Sequence, residues 1–210
     1  SCRNRYPGIS FFIDENTGWA AGNSGTILRT VNGGLNWTAQ SSPESVNLNC
    51  IRFLSSSNGI ACGNNGKVIS WNGSVWSSLV TPITNNLLSI DMKSSTIIAV
   101  TEDGTAIKSV NNGTNWTVIN YMTVTKSEVN SVFMFDANTF FSCGGGGFIR
   151  KSTNGGSAFI FQQNPMMANL VEIYFFDANR GWAVSSLNKA VLYTTDGGNN
   201  WSLPKGTTVS

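Results

Sequence analysis

The chain has 210 residues and no histidine. A Ser–His–Asp or Cys–His nucleophile is therefore impossible, and general-base work would fall to a carboxylate whose pKa is shifted by burial. Of the acidic residues, Asp14, Asp136 and Asp177 recur at one position just before a turn, which marks a turn role. Asp91 lies in an alternating strand, and Glu102–Asp103 is the acidic pair of a glycine-flanked turn. The cysteines (Cys2, Cys50, Cys62, Cys143) form no CxxC pair and, without histidine, suggest no zinc site. Cys62 and Cys143 share a repeat position with Ala21, Val100 and Val184 and read as small buried apolar residues. Cys50 could face Cys62 across a hairpin, but the apolar register aligning Ile51 and Phe53 with Cys62 and Ile60 puts Cys50 on the other face. Arg29, Lys108 and Lys151 share one column with Ile69 and Tyr193. They read either as a basic cluster for an acidic partner or as long stems covering neighbouring aromatics. The expectation is a protein without catalysis, metal or cofactor.

Composition narrows the classes further. Only 11% of residues are charged and the net charge is +2, so no basic stripe invites nucleic acid. Solubility rests instead on 26 Asn and 26 Ser. No apolar run approaches the length of a membrane span, and no signal peptide stands at the start, so the chain reads as mature or trimmed. Ser1–Cys2 could be the trimmed terminus of a lipoprotein. The setting expected is extracellular, cell-surface or periplasmic.

These residues sit in a repeat. "TVNGGLNW" ends at Trp37, "SWNGSVW" at Trp76, "SVNNGTNW" at Trp116, "STNGGSAF" at Phe159 and "TTDGGNNW" at Trp201, with closing aromatics 39, 40, 43 and 42 residues apart. The five units run 8–47, 48–86, 87–129, 130–169 and 170–210. Each opens with an alternating strand. Ile9, Ile51, Ile90, Val132 and Ile173 share one column, and Phe11, Phe53, Met92, Met134 and Phe175 the next. A polar turn, a second strand, a Gly- or Asn-rich turn and a third strand follow, and the aromatic motif leads into a fourth. No amphipathic helical stretch interrupts the pattern. Four short antiparallel strands per unit describe a propeller blade, and a blade that cannot bury both faces alone must stack on its neighbours. The fold expected is all-β: a five-bladed β-propeller forming one domain over 1–210. The ring is expected to close, with residues 1–7 or 203–210 completing the last seam, against the alternative of a fragment of a longer propeller.

The pattern Ser/Thr-x-Asp/Asn-x-Gly-x-x-Trp resembles the Asp-box, or BNR repeat, of sialidases and related propellers. "IYFFDANRGWAVSS…AVLYTTDGGNNW" and "ISFFIDENTGWAAGNSGTILRTVNGGLNW" resemble the repeats of the photosystem II stability/assembly factor family. The resemblance implies a propeller over nearly the whole chain. A sialidase would need an arginine triad, an acid/base Asp, a Tyr–Glu pair and normally an Arg-Ile-Pro motif. That motif is absent, and the six arginines (3, 5, 29, 52, 150 and 180) are too few and scattered.

The box itself admits two readings. The side chains of Asn32, Asn72, Asn111, Asn154 and Asp196 could bind a ligand or metal, or could turn back on the backbone as a staple while the aromatic plugs the space between blades. Four of the five are Asn, so charge is not what is kept, and the staple is expected. The sequons at Asn36, Asn72, Asn112, Asn115 and Asn200 follow from the box ending and say little about glycosylation. Strand alternation puts the boxes on one face and the loops "NSG", "NNG", "EDG", "GGG" and "SLNK" on the other. That loop face also carries Tyr121, Met122, Met166 and Met167, apolar side chains in segments that otherwise read as exposed. With Glu102 and Asp103 they are the candidate contact surface for a protein partner or a second copy. The alternative is that the loops fold inward over the central channel. The function expected is a protein-interaction or scaffold propeller, a subunit of a larger surface assembly, with a glycan-binding propeller as the rival.

Overall fold

Each repeat becomes one antiparallel sheet. The structure is a computed structural model describing residues 9–120, 127–165, 167–185 and 190–204. Blade 1 holds β1 (Ile9–Phe12), β2 (Gly18–Ala21), β3 (Ile27–Thr30) and β4 (Thr38–Gln40). Blade 2 holds β5 (Leu48–Ser55), β6 (Asn58–Gly63), β7 (Val68–Trp71) and β8 (Trp76–Leu79). Blade 3 holds β9 (Leu87–Lys93), β10 (Thr96–Thr101), β11 (Thr105–Ser109) and β12 (Thr117–Asn120). Blade 4 holds β13 (Val129–Met134), β14 (Phe140–Gly144), β15 (Ile149–Ser152) and β16 (Ile160–Gln162). Blade 5 holds β17 (Leu170–Phe175), β18 (Gly181–Ser185) and β19 (Val191–Thr194), and its fourth strand is reduced to a single bridge between Tyr193 and Ser202. Strand order within every sheet follows chain order.

The core is four apolar seams, one between each successive pair of blades. Blade 1 meets blade 2 through Trp19, Ala21 and Ile27 against Ile51, Phe53, Ala61 and Ile69. The opposite face of blade 2, with Cys50, Ile60 and Cys62, meets Ile90, Met92 and Ile97 of blade 3. Both faces of an inner blade are therefore buried, and neither can be told from the other by polarity.

That corrects three registers. Cys50 pairs directly with Cys62 and shares its face, because Ile51 and Phe53 belong to the other seam. The bridge between them is nevertheless not made: Cys50 is disulfide-bonded, while Cys62 and Cys143 are free, buried thiols whose pKa desolvation pushes well above the ordinary value. In blade 1 the column of Phe53 and Phe175 is filled by Phe12, not Phe11, and that of Ile51 by Ser10, not Ile9. Phe12, Phe53 and Phe175 each lie over a facing glycine (Gly18, Gly59, Gly181) that has no room for a Cβ. Ser70, not Ile69, completes the column of Arg29, Lys108 and Lys151.

The segments expected to close the ring, 1–7 and 203–210, fall outside the described residues except for Leu203 and Pro204. Among the described residues, no strand pairing, hydrogen bond or ring contact joins blade 1 to blade 5. Phe12 on one side and Trp182 on the other remain 42% and 40% exposed. Residues 1–8 and 205–210 lie outside the described residues.

Candidate functional site

The boxes are held by their own hydrogen bonds. In blade 1 the Thr30 hydroxyl donates to Asn32 Oδ1 at 3.0 Å and accepts the Gly34 N–H at 2.9 Å, while Asn32 Oδ1 also accepts the Asn36 N–H. Ser109 with Asn111, Ser152 with Asn154, and Thr194 with Asp196 repeat the same bonds. These shared bonds use one oxygen of the Asn or Asp, which is why the two residue types interchange; in blade 5 the second oxygen of Asp196 also accepts from the Asn200 side chain at 2.7 Å. Gly34 takes φ +89° and Gly198 φ +80°, a left-handed backbone that favours glycine. The shorter box of blade 2 keeps part of this, with Asn72 Oδ1 accepting from Ser74 and Val75. The closing aromatics Trp76, Trp116, Phe159 and Trp201 pack into the four seams. Trp37 of blade 1 is 36% exposed and meets the edge of Phe12.

The recurring carboxylates also hold turns. One oxygen each of Asp14, Asp136 and Asp177 accepts two backbone N–H groups, and those bonds hold the pKa of Asp14 and Asp136 below the ordinary value. For Asp177 the Arg180 side chain leads, joined to it by an ion pair. The basic column bridges blades: Lys108 Nζ donates to the Gly155 carbonyl at 2.8 Å, and Lys151 Nζ to the Gly197 carbonyl at 3.0 Å. Arg29 covers the Trp19 ring and Lys151 the Phe141 ring.

Buried polar side chains tie the innermost strands together. Asn49 donates to the Leu87 carbonyl and Asn130 to the Leu170 carbonyl. Ser89 and Ser131 accept the N–H groups of Val132 and Ile173. Asp91 accepts from Met92 at 2.9 Å and from Met134 of the next blade at 2.7 Å. Burial raises the Asp91 pKa, with the Arg52 guanidinium pulling the other way.

Around these strands lies a central cavity of about 650 Å³ lined by the first strand of all five blades. Its wall is aromatic, with Phe11, Phe53, Phe133, Phe135, Tyr174 and Phe176, and carries Arg52, Asp91, Lys93 and Glu172. Phe12, Leu54, Tyr174 and Phe176 are exposed at its rim. Arg52 lies over the Phe11 ring and donates to the Ile51 carbonyl. The lining comes from the second half of each first strand, next to the turns on the box face, and sequence reasoning missed it. The available signal was the charged residue inside otherwise apolar first strands: "CIRF", "SIDM", "VEIY".

The candidate patch on the opposite face is described only in part, since Tyr121, Met122 and Met166 lie outside the described residues, as do Cys2 and the "SLNK" loop. Met167 is 94% exposed. Asp103 accepts from Thr101, Thr105 and Asn85, and Glu102 accepts from Asn86. Among the described residues no group of carboxylates and cysteines could hold a metal ion, and no helix is long and apolar enough to cross a membrane.

Fold and cavity define the class: a β-propeller of five blades. No known family model matches the chain. In particular it is similar to "Photosystem II stability/assembly factor HCF136, chloroplastic" of Arabidopsis thaliana, 36% identical over 64 residues, which are 30% of this chain and 16% of that protein. Among solved structures it is similar to "YCF48 bound to D1 peptide", with TM-score 0.67 and 18% identity over 96% of this chain and 74% of the other. A selenomethionine-substituted virginiamycin B lyase from Staphylococcus aureus superimposes with TM-score 0.81 and 14% identity, over 96% of this chain and 70% of the other. These likenesses carry the fold.

Proposed function

We propose that the chain is a non-catalytic protein-interaction propeller that takes a peptide segment of its partner at the mouth of the central cavity. The carrying observation is the aromatic rim there, with Leu54, Tyr174 and Phe176 exposed around Arg52 and Lys93. Exposed apolar side chains around a concave site are the usual mark of a binding surface, and aromatic residues with arginine supply most binding energy where partners dock. A solved propeller of similar fold, YCF48, is bound to a D1 peptide, which supports the reading. The carboxylates accounted for above work as turn and seam acceptors, which favours binding over catalysis. A secreted or cell-surface setting, as a subunit of a larger assembly, completes the proposal.

The test is capture from the native source with the intact protein and two variants. Leu54→Ser with Lys93→Glu should lose the partner while the far-ultraviolet spectrum and melting temperature stay unchanged. Met167→Ser, on the opposite face, should keep it. The reverse pattern would move the site to the loop face, and binding on a glycan array without a protein partner would replace the reading with a lectin.

A further inference from the structure

Cys50 is disulfide-bonded, while Cys62 and Cys143 are free thiols, both fully buried. The sequence contains four cysteines, so Cys2 is left as the mate. Cys62 would be the near choice, since it lies directly opposite Cys50 in the β5–β6 pairing and on the same face. Burial raises the Cys62 pKa, and a thiol that keeps its proton is a poor nucleophile toward a neighbouring disulfide. Cys50 stands where the inner strands meet. The matching side chains of blades 3 and 4 are Ser89 and Ser131, whose hydroxyls accept N–H groups of the next blade. Arg52, two residues further along β5 and on the same face, lines the central cavity. The reach suits Cys2. Ile9 opens β1 in the seam that also holds Ile51, the neighbour of Cys50. The seven residues from Cys2 to Ile9 span up to about 25 Å when extended.

We propose that Cys2 and Cys50 form a disulfide clasp that ties the residues before β1 to the inner strand of blade 2. The two thiols give up two electrons and two protons to the disulfide of an oxidised dithiol protein, which leaves as its reduced dithiol. Such an exchange belongs to an oxidising compartment, in keeping with the secreted setting proposed above. The clasp goes beyond the binding reading and holds whatever docks at the cavity. In the unfolded chain it closes a loop of about 48 residues, a constraint that favours the folded state. A sulfur bonded to Cys50 cannot also carry a lipid as a thioether, so the clasp and a lipoprotein terminus at Cys2 exclude each other.

The test is disulfide mapping by mass spectrometry on the intact chain, secreted into a bacterial periplasm. Free thiols are blocked with N-ethylmaleimide in urea at mildly acidic pH, so that Cys62 cannot exchange as it is exposed. Trypsin then places the four cysteines on separate peptides, 1–3, 30–52, 53–67 and 127–150. The expected species joins 1–3 to 30–52 and separates on reduction, while 53–67 and 127–150 carry the blocking group. A link between 30–52 and 53–67, a blocked Cys50, a lipid on Cys2, or a bond between two copies seen as a dimer on a non-reducing gel would overturn the proposal. Cys2→Ser should melt several degrees below the intact chain. Dithiothreitol should bring the intact chain down to the same point and leave the variant where it is. Equal melting of the two without reductant would also sink the clasp. These readouts are covalent mass and melting, so they stand or fall apart from partner capture at the cavity.

Discussion

Trp19 of blade 1 and Phe53 of blade 2 stack with their rings 18° from parallel, and Phe53 in turn covers Gly59 of its own blade. Three residues from two repeats thus form one layer. Gly59→Ala would drive a methyl group into the Phe53 ring. Trp19→Ala should cost about 3–5 kcal/mol, as large-to-small core changes do, whereas Trp182→Ala at the equivalent exposed position should cost under about 1 kcal/mol. Urea unfolding of the two variants checks the contrast, and equal costs would mean that Trp182 is covered in solution.

The lysine bridges make a second prediction. Lys108→Met keeps most of the stem and removes the ammonium that the Gly155 carbonyl accepts from. A charged hydrogen bond lost at a seam should cost about 1–2 kcal/mol. Lys151→Met should do the same between blades 4 and 5. If Lys108→Arg restores stability no better than Met, the bond to the carbonyl is not what the side chain contributes.

For the box, Ser109→Ala removes the oxygen that positions Asn111 and receives the Gly113 N–H. Ser109 is buried, so the orphaned N–H should cost about 1–3 kcal/mol. Asn111→Asp preserves the accepting oxygen and should change the melting temperature little at neutral pH. A large loss from Asn111→Asp would contradict the one-oxygen staple.

Asp196 gives the box of blade 5 a pH dependence the others lack. Hydrogen bonds from Asn200, led by its backbone N–H, and from the Thr194 hydroxyl lower its pKa from 3.8 to about 2. A carboxylate with a depressed folded-state pKa stabilises the protein above its unfolded value and loses that contribution as pH falls through the folded one. Stability should therefore decline between about pH 4 and about pH 2. Asp196→Asn should flatten part of that decline, leaving the shares of Asp14, Asp136 and Asp177, whose pKa values are also lowered. Acid titration followed by circular dichroism compares the two.

The repeat, its strands and the box were legible because turn residues and tryptophans recur at fixed spacing and each has a local physical role. Register was not legible wherever both faces of a strand are apolar. "ISFFID" offers two adjacent phenylalanines, and only the pairing with Gly18 selects Phe12. The same ambiguity misplaced Cys50 and put Ile69 where Ser70 stands. The cavity was missed because its wall gathers one short piece from each of five repeats, and no local window contains more than a third of it.

Four box aromatics pack into a seam shared with the blade that precedes them in the chain, and Gly113, Gly156 and Gly198 touch Leu79, Ile119 and Phe141 of that preceding blade. A blade leaving the ribosome therefore meets a docking surface that has already been made. Structure can accrue in the direction of synthesis, one repeat at a time, with no long wait for a distant partner. Folding would run as a zipper pulled from the N-terminal end, and a stalled chain would end in an ordered arc rather than an unfolded coil.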